Sequence, residues 1–230
     1  MISVFIPCYN EEMRLEKNIL TIYKALKNLK KQFELIIVDD SSSDKTGEIG
    51  KALAKKYKEI KYQYYDNGPS RRENLAKAFR TAKGEIITFM DLDLSADLSS
   101  FSRLIESIET HDISIGSRYK DKQAQRTLKR FIISICYNIF MRIYFSSKIK
   151  DHQCGFKAFK KTVLIPLLDE MGYEKTRGWF WDVELLVRAQ KKKYSIDEFG
   201  VNWYEGKLST FNIQRELKML PYILKLRWRL

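Results

Sequence analysis

Proline and glycine are both scarce, 4 and 10 of 230 residues, so the chain has no Pro- or Gly-rich linker and no low-complexity tract that would resist packing. No internal repeat is visible, which argues against solenoid and propeller architectures. Cysteine is limited to Cys8, Cys136 and Cys154. They lie far apart, make no C-x-x-C and are odd in number, so neither a disulfide framework nor a zinc cluster is indicated, and a reducing cytoplasm is the expected compartment. Long apolar runs are missing too. The longest, 131–145, is interrupted by Asn138 and Arg142 and falls short of the roughly 20 residues a membrane-spanning helix needs. The N-terminus opens directly on the strand-like Ile2-Ser3-Val4-Phe5-Ile6 rather than on the basic and apolar regions of a signal peptide. What is present is 44% hydrophobic residues, with 13% aromatics, enough to build a sizeable core in one domain with a short appendage.

Charge is lopsided, with 42 Lys and Arg against 29 Asp and Glu, a formal net charge of +13. Nucleic acid, an anionic membrane surface or phosphate-bearing substrates would each account for it. So would a generally Lys-rich surface, because Lys and Glu are mixed through most helical stretches. Where the cations sit has to decide.

The first half alternates in a regular way. Residues 2–7 and 35–38 are β-branched runs, and each leads into a polar turn, Cys8-Tyr9-Asn10-Glu11-Glu12 and Asp39-Asp40-Ser41-Ser42-Ser43-Asp44. Helical spacing follows each turn: Leu15, Ile19, Ile22, Leu26 and Leu29 in one case, Ile49, Leu53 and Tyr57 in the other, with Asp44 placed as a cap. Further strands are predicted at 61–65 and 86–90, with a helix over 73–82 between them. Such β-α-β-α order predicts an α/β fold on a parallel sheet, and ligands bind such sheets beyond the carboxyl ends of the strands.

Those ends are acidic, with Asp39 and Asp40 after one strand and Asp91-Leu92-Asp93-Leu94-Ser95 after another. Crowded carboxylates repel unless a cation compensates, so a divalent metal is one account of them. If the D-L-D segment is extended, its two Asp point to one side and can share an ion. Helix capping by Asp39 and Asp91 is the other account, and an isolated D-x-D does not choose between them.

The ordered set Ile6-Pro7-Cys8-Tyr9-Asn10-Glu11-Glu12, Val38-Asp39-Asp40-Ser41-Ser42-Ser43-Asp44 and Met90-Asp91-Leu92-Asp93-Leu94-Ser95 resembles glycosyltransferase family 2, with its GT-A fold, a Rossmann-like, mostly parallel central sheet flanked by helices. Gly116-Ser117-Arg118, Asp151-His152-Gln153-Cys154-Gly155-Phe156-Lys157 and Trp181-Asp182-Val183-Glu184-Leu185 look like the branch that makes dolichyl-phosphate glucose and dolichyl-phosphate mannose. The resemblance covers about residues 2–205. It implies that Pro7, Tyr9, Glu11 and Asp39, with Asp91 and Leu92, form the nucleotide-sugar site. It also implies that Asp91 and Asp93, with Ser95 as a further ligand, hold a Mg2+ or Mn2+ ion. A diphosphate leaving group gathers negative charge as the sugar bond breaks, and such an ion neutralises it. One stretch departs from the family pattern: a Gly-rich basic run is replaced by Gly68-Pro69-Ser70-Arg71-Arg72-Glu73-Asn74. Arg71 and Arg72 are open to two readings, contact with the donor diphosphate or a solvated surface pair.

For the acceptor, Arg118 follows a strand-like 113–116, and Arg130 and Ser134 lie four apart on one helical face. The resemblance implies that Arg118, Arg130 and Ser134 hold the phosphate of a polyprenyl (dolichyl) acceptor, a task suited to the guanidinium fork; Arg126 and Lys129 compete for it. Asp182 and Glu184 are candidates to orient the sugar or act as base, or else plain helix N-terminal acids. Phe131, Ile135, Ile139 and Ile143 form an apolar helix face that suits either the core or a membrane surface. In the 211–230 appendage, after a catalytic domain at 1–210, Leu217, Leu220, Leu224 and Trp228 interleave with Arg215, Lys218, Lys225, Arg227 and Arg229. This reads either as a basic amphipathic helix lying on an anionic membrane or as a helix packed on the domain, kinked at Pro221.

The expected function is therefore inverting transfer of a hexose from a UDP-glucose- or GDP-mannose-type donor to polyprenyl phosphate, peripherally, at the cytoplasmic membrane face. The alternative keeps the donor and uses a glycan or protein hydroxyl. A nucleic-acid-binding module is not expected, since acidic turns repel phosphates, and a nucleotidyltransferase would open with a Gly-rich loop that Pro7-Cys8-Tyr9-Asn10 is not.

Overall fold

A computed structural model of the chain describes residues 1–69, 72–120, 124–125, 128–172, 178, 180–204 and 219–230, except for the side chains at 124, 125, 129 and 130. Seven strands form the central sheet: β1 (Ile2–Cys8), β2 (Phe33–Asp39), β3 (Ile60–Tyr64), β4 (Ile86–Met90), β5 (Ile113–Ser117), β7 (Phe156–Lys160) and β8 (Ile196–Gly200). Their order is β3-β2-β1-β4-β7-β5-β8. All neighbours are parallel except β7, which runs antiparallel between β4 and β5. Two short strands, β6 (Ala124–Gln125) and β9 (Trp203–Tyr204), pair separately.

The inner strands β1, β2 and β4 are buried on both faces, which is why they read as largely apolar runs, whereas the edge strands β3 and β8 are only partly buried and carry polar residues. Ile2, Val4 and Ile6 of β1, with Leu35 and Ile37 of β2, face α1 (Leu15–Asn28), α2 (Thr46–Lys56) and α4 (Phe101–Glu106). Phe5, Ile36 and Val38 face the other way, onto α3 (Glu73–Phe79), α6 (Lys161–Met171) and α7 (Phe180–Lys191). The predicted stripe Leu15, Ile19, Ile22 and Leu26 is buried along α1. In α2 Leu53 is buried, while Ile49 and Tyr57 pack at the margin.

A third apolar cluster joins α5 (Leu128–Phe145), α7 and α8 (Leu220–Arg227). Two expectations change here. In α5 the stripe Phe131, Ile139 and Ile143 faces out, 38%, 46% and 75% exposed, while the buried residues are Ser134 and Asn138 together with Met141 and Phe145. The core option for that stripe is thus set aside. In α8, Ile223 and Leu226 pack inward, while Leu220, Leu224 and Trp228 point outward. The appendage therefore both packs and leaves an apolar face open. Pro221 stands in the first turn, where its missing N–H costs nothing, so it starts the helix rather than kinking it. Arg215, Leu217 and Lys218 lie outside the described residues. No helix among the described residues is long and apolar enough to cross a membrane.

Candidate active site

At the carboxyl ends of β1 and β2 two polar turns tie each other down. The Asn10 N–H donates to Ser42 Oγ (2.9 Å), the Ser43 N–H to Asn10 Oδ1 (2.9 Å), the Glu11 N–H to Thr46 Oγ1 (2.7 Å) and the Glu12 N–H to Asp44 Oδ2 (3.1 Å). Asp44 also accepts from the Thr46 N–H (2.9 Å), although the residue in the cap position of α2 is Lys45, one further on than the sequence suggested. Tyr9 is exposed at the rim, Pro7 is partly buried beneath it, and Glu11 pairs with Arg14. Asp39 is fully buried, accepting from the Ser42 N–H (2.9 Å) and the Tyr62 hydroxyl (2.6 Å). The structure thus brings Pro7, Tyr9, Glu11 and Asp39 to one sheet edge, but the Asp39 carboxylate holds the turn from within instead of facing the crevice.

The acidic pair follows β4 at the same edge. Residues 91–95 form a turn rather than an extended segment, with Leu94 at φ +56°, so strand alternation is not what aligns the two carboxylates. Leu92 between them is a core residue, 3% exposed, whose carbonyl accepts from Asn18 Nδ2; its side chain makes no part of a nucleotide site. Ser95 is buried, and its N–H donates to Asp93 Oδ1 (2.9 Å), so it orients Asp93. Asp91 lies against Gly155: its N–H donates to the Gly155 carbonyl, and a β-carbon at position 155 would overlap the Asp91 carboxylate. Only glycine leaves Asp91 its place. Enclosure by the surrounding chain raises the Asp91 carboxyl above its ordinary pKa; Arg72 opposes that rise and Asp93 and Asp182 add to it.

Arg72, one of the two open residues, is no solvated cation. It reaches Asp182 through Nε (3.2 Å) and Asp91 through Nη2 (3.4 Å), over the face of Phe89. Arg71 lies outside the described residues. Asp182 is buried in the first turn of α7 and is bound on its other oxygen by Lys157 (2.7 Å). Burial works to raise the Asp182 carboxyl, but Lys157 and Arg72 outweigh it and hold it below the usual carboxylate range, which makes Asp182 a poor general base. Glu184 is buried too, accepting from Arg188 and from the Tyr222 hydroxyl, and so joins α7 to α8.

Arg118 also differs from expectation. Its guanidinium makes a paired contact with Asp151, 2.7 Å from each donor nitrogen, and it is 8% exposed. Burial disfavours its charge, but Asp151 more than restores it. A guanidinium so engaged shapes the wall of the crevice rather than standing free for an acceptor phosphate. Ser134 sits on the inward face of α5 against the Tyr119 hydroxyl. The side chains of Arg130 and Lys129, and all of Arg126, lie outside the described residues. On the inward face of α5, His152 Nδ1 meets Asn138 Oδ1 (3.0 Å) and Nε2 meets Ser147 Oγ (2.8 Å).

Sequence reasoning gave Lys157, Asp151 and Gly155 no role beyond membership of a motif, and it overlooked Tyr62. A signal existed for Lys157: it stands among Phe156, Ala158 and Phe159 in a strand-like run, and a cation buried with such neighbours has to be paired.

The acidic pair fits a divalent ion of a particular kind. Among the described residues no group of three or more His, Cys, Asp and Glu is gathered, so an all-protein cage is not built here. Mg2+ characteristically takes one or two carboxylates and completes its shell with substrate phosphates and water. The Gly155 cradle and the Ser95 N–H hold just such a pair, beside a guanidinium suited to phosphate. This is the equipment of a nucleotide-sugar glycosyltransferase of the GT-A kind. The chain belongs to glycosyl transferase family 2, whose family model matches residues 3–168.

Relatives agree over most of the chain. Glycosyltransferase AglD of Haloferax volcanii is 33% identical over 235 residues, covering 100% of this chain, although the chain spans only 37% of the length of that protein. The dolichyl-phosphate beta-glucosyltransferase of Dictyostelium discoideum is 30% identical over 247 residues, covering 99% of this chain and 74% of its own length. Among solved structures, glucosyl-3-phosphoglycerate synthase from Mycobacterium tuberculosis, in complex with Mn2+, UDP and glucosyl-3-phosphoglycerate, superposes with a TM-score of 0.72 at 15% identity. It covers 99% of this chain and 79% of that one. At that identity the likeness shows the fold alone, and it shows it to be GT-A.

Proposed function

We propose that the chain transfers glucose, with inversion, from UDP-glucose to a polyprenyl phosphate of the dolichyl type, with Asp91 and Asp93 holding Mg2+ or Mn2+. The observation that carries this reading is the acidic pair at the sheet edge, with Asp91 seated on Gly155 beside Arg72 and Asp93 held by the Ser95 N–H. The choice of glucose and of the lipid acceptor is supported by the dolichyl-phosphate glucosyltransferases among the relatives. When bound, the ion would neutralise the diphosphate as the sugar leaves. Asp91 and Asp93 would hold it, Arg72 would add a cation for the phosphates, and Tyr9 and Pro7 would line the nucleoside end.

The state of the two acids near the site favours a phosphate acceptor over a hydroxyl. A hydroxyl must lose a proton as it attacks, whereas a phosphate monoester is already largely ionised at neutral pH. Asp182 and Glu184, the acids considered either to orient the sugar or to act as base, are both buried and paired. For the acceptor phosphate, Arg130 and Ser134 are assigned to contact it, with Arg118 supporting the wall behind them through Asp151. The outward apolar residues of α5 and α8, flanked by Arg142, Lys225, Arg227 and Arg229, suit peripheral docking on the anionic cytoplasmic face of a membrane, where such an acceptor keeps its chain.

The test is a screen of labelled UDP-glucose, GDP-mannose and other nucleotide sugars with a short polyprenyl phosphate and Mg2+ or Mn2+. Label from UDP-glucose should partition into organic solvent. Preference for another donor would reassign the sugar. Label that enters only a water-soluble glycan or protein would replace the lipid acceptor by a hydroxyl.

A further inference from the structure

A line of alternating charge runs from the middle of the sheet to the acidic pair. Lys157 is fully buried in β7, paired in register with Phe89 on one side and Ile115 on the other. Its Nζ donates to the Cys154 carbonyl (2.5 Å) and to Asp182 Oδ1 (2.7 Å). A lysine held in a strand on both sides cannot swing away without breaking the sheet, and a buried ammonium that loses its partner is strongly destabilising. Asp182 is thereby anchored. Its other oxygen faces Arg72 Nε, and the same guanidinium extends Nη2 to Asp91 at the longer distance of 3.4 Å.

Guanidinium and carboxylate prefer a paired, two-toothed contact. Freed from Asp182, Arg72 would turn its fork onto Asp91 and occupy both oxygens that a cation needs. We infer that Asp182, anchored by Lys157, is a positioning residue for the donor site: it competes for Arg72 and so keeps the Asp91 carboxylate available to a metal–diphosphate. This rests on the assignment of Asp91 and Asp93 to that ion. Asp182 acts through Arg72 and touches neither donor nor acceptor.

A double-mutant cycle tests it, with Mn2+ binding in the presence of UDP read by electron paramagnetic resonance rather than by turnover. Asp182→Asn keeps an oxygen for Lys157 but loses the charge that draws Arg72, and should weaken Mn2+ binding on the order of tenfold. In an Arg72→Gln background the same change should have little effect, because the competing guanidinium is gone. Asp182→Glu, which keeps the charge, should bind within about threefold of the wild type. Equal losses from Asp182→Asn with and without Arg72 would overturn the inference, as would a Glu variant as weak as the Asn variant. A wild-type protein that binds no Mn2+ with UDP would overturn the metal assignment and this inference with it.

Discussion

Lowering the pH from 7 to 5 should cost the fold about 2 kcal/mol through one residue, His152. Its ring is buried, and both nitrogens have partners that suit the neutral form. Asn138 donates through Nδ2 to the Ser134 carbonyl, which leaves Oδ1 to accept from the His152 Nδ1–H. Ser147 Oγ already accepts from Gln190 Nε2 (2.8 Å) and the Ile149 N–H (3.3 Å), so it donates its own proton to Nε2. A second ring proton would point at a donor. Burial, more than any neighbouring charge, lowers the pKa from 6.5 to about 4. Because the folded value is the depressed one, the unfolded chain takes up the proton first. The stabilisation is complete above pH 6.5 and is lost as pH falls toward 4. Linkage over that interval gives about 2 kcal/mol lost by pH 5 and about 3 kcal/mol below pH 4. Urea unfolding at a series of pH values, for the wild type and for His152→Gln, isolates the effect. The Gln variant is less stable throughout, but its curve should be flatter than that of the wild type between pH 7 and 5. Parallel curves would refute the argument, whatever their separation.

Asp91→Asn and Asp93→Asn should each cut turnover at least about a hundredfold while leaving the melting temperature near that of the wild type, since each removes charge and a ligand from the ion; near-normal rates with Mg2+ or Mn2+ present would end the metal assignment. Gly155→Ala should lose donor binding nearly as completely as Asp91→Asn, because the added methyl displaces the Asp91 carboxylate; UDP titration followed by tryptophan fluorescence measures it, and wild-type affinity would mean that the cradle is not needed. Leu224→Glu with Trp228→Glu should weaken sedimentation with anionic liposomes without lowering the melting temperature, as both side chains point outward; unchanged sedimentation would remove α8 from the membrane surface.

The parallel half of the sheet was legible because its signals are local: β-branched runs, polar turns and 3.6-residue spacing in α1 need no knowledge of the rest of the chain. The acidic pair was legible for the same reason. Periodicity says which residues share a helix face, but not which way the face points. Thus α5 could be recognised as a helix, while its burial of Ser134 and Asn138 in place of Phe131 and Ile139 depends on Tyr119 and His152, which meet it from other segments. The partners of Arg72 and Arg118 were hidden for the same reason. Each is isolated in sequence, and the carboxylates that claim them, Asp182 and Asp151, arrive 110 and 33 residues later.

The antiparallel placement of β7 between β4 and β5 has a consequence for how the protein is made. As the chain leaves the ribosome, β3-β2-β1-β4 can assemble from the first 90 residues, but the outer edge of β4 pairs only with residues 156–160. At usual elongation rates that is a wait of roughly 4–14 seconds. During it, a strand of sequence Ile86-Ile87-Thr88-Phe89-Met90 offers its backbone to any other chain. Asp91 is likewise synthesised well before the glycine that seats it, so this edge of the sheet is completed late, and slow or stalled translation between residues 90 and 160 would expose the nascent protein to aggregation at the very strand that leads into the acidic pair.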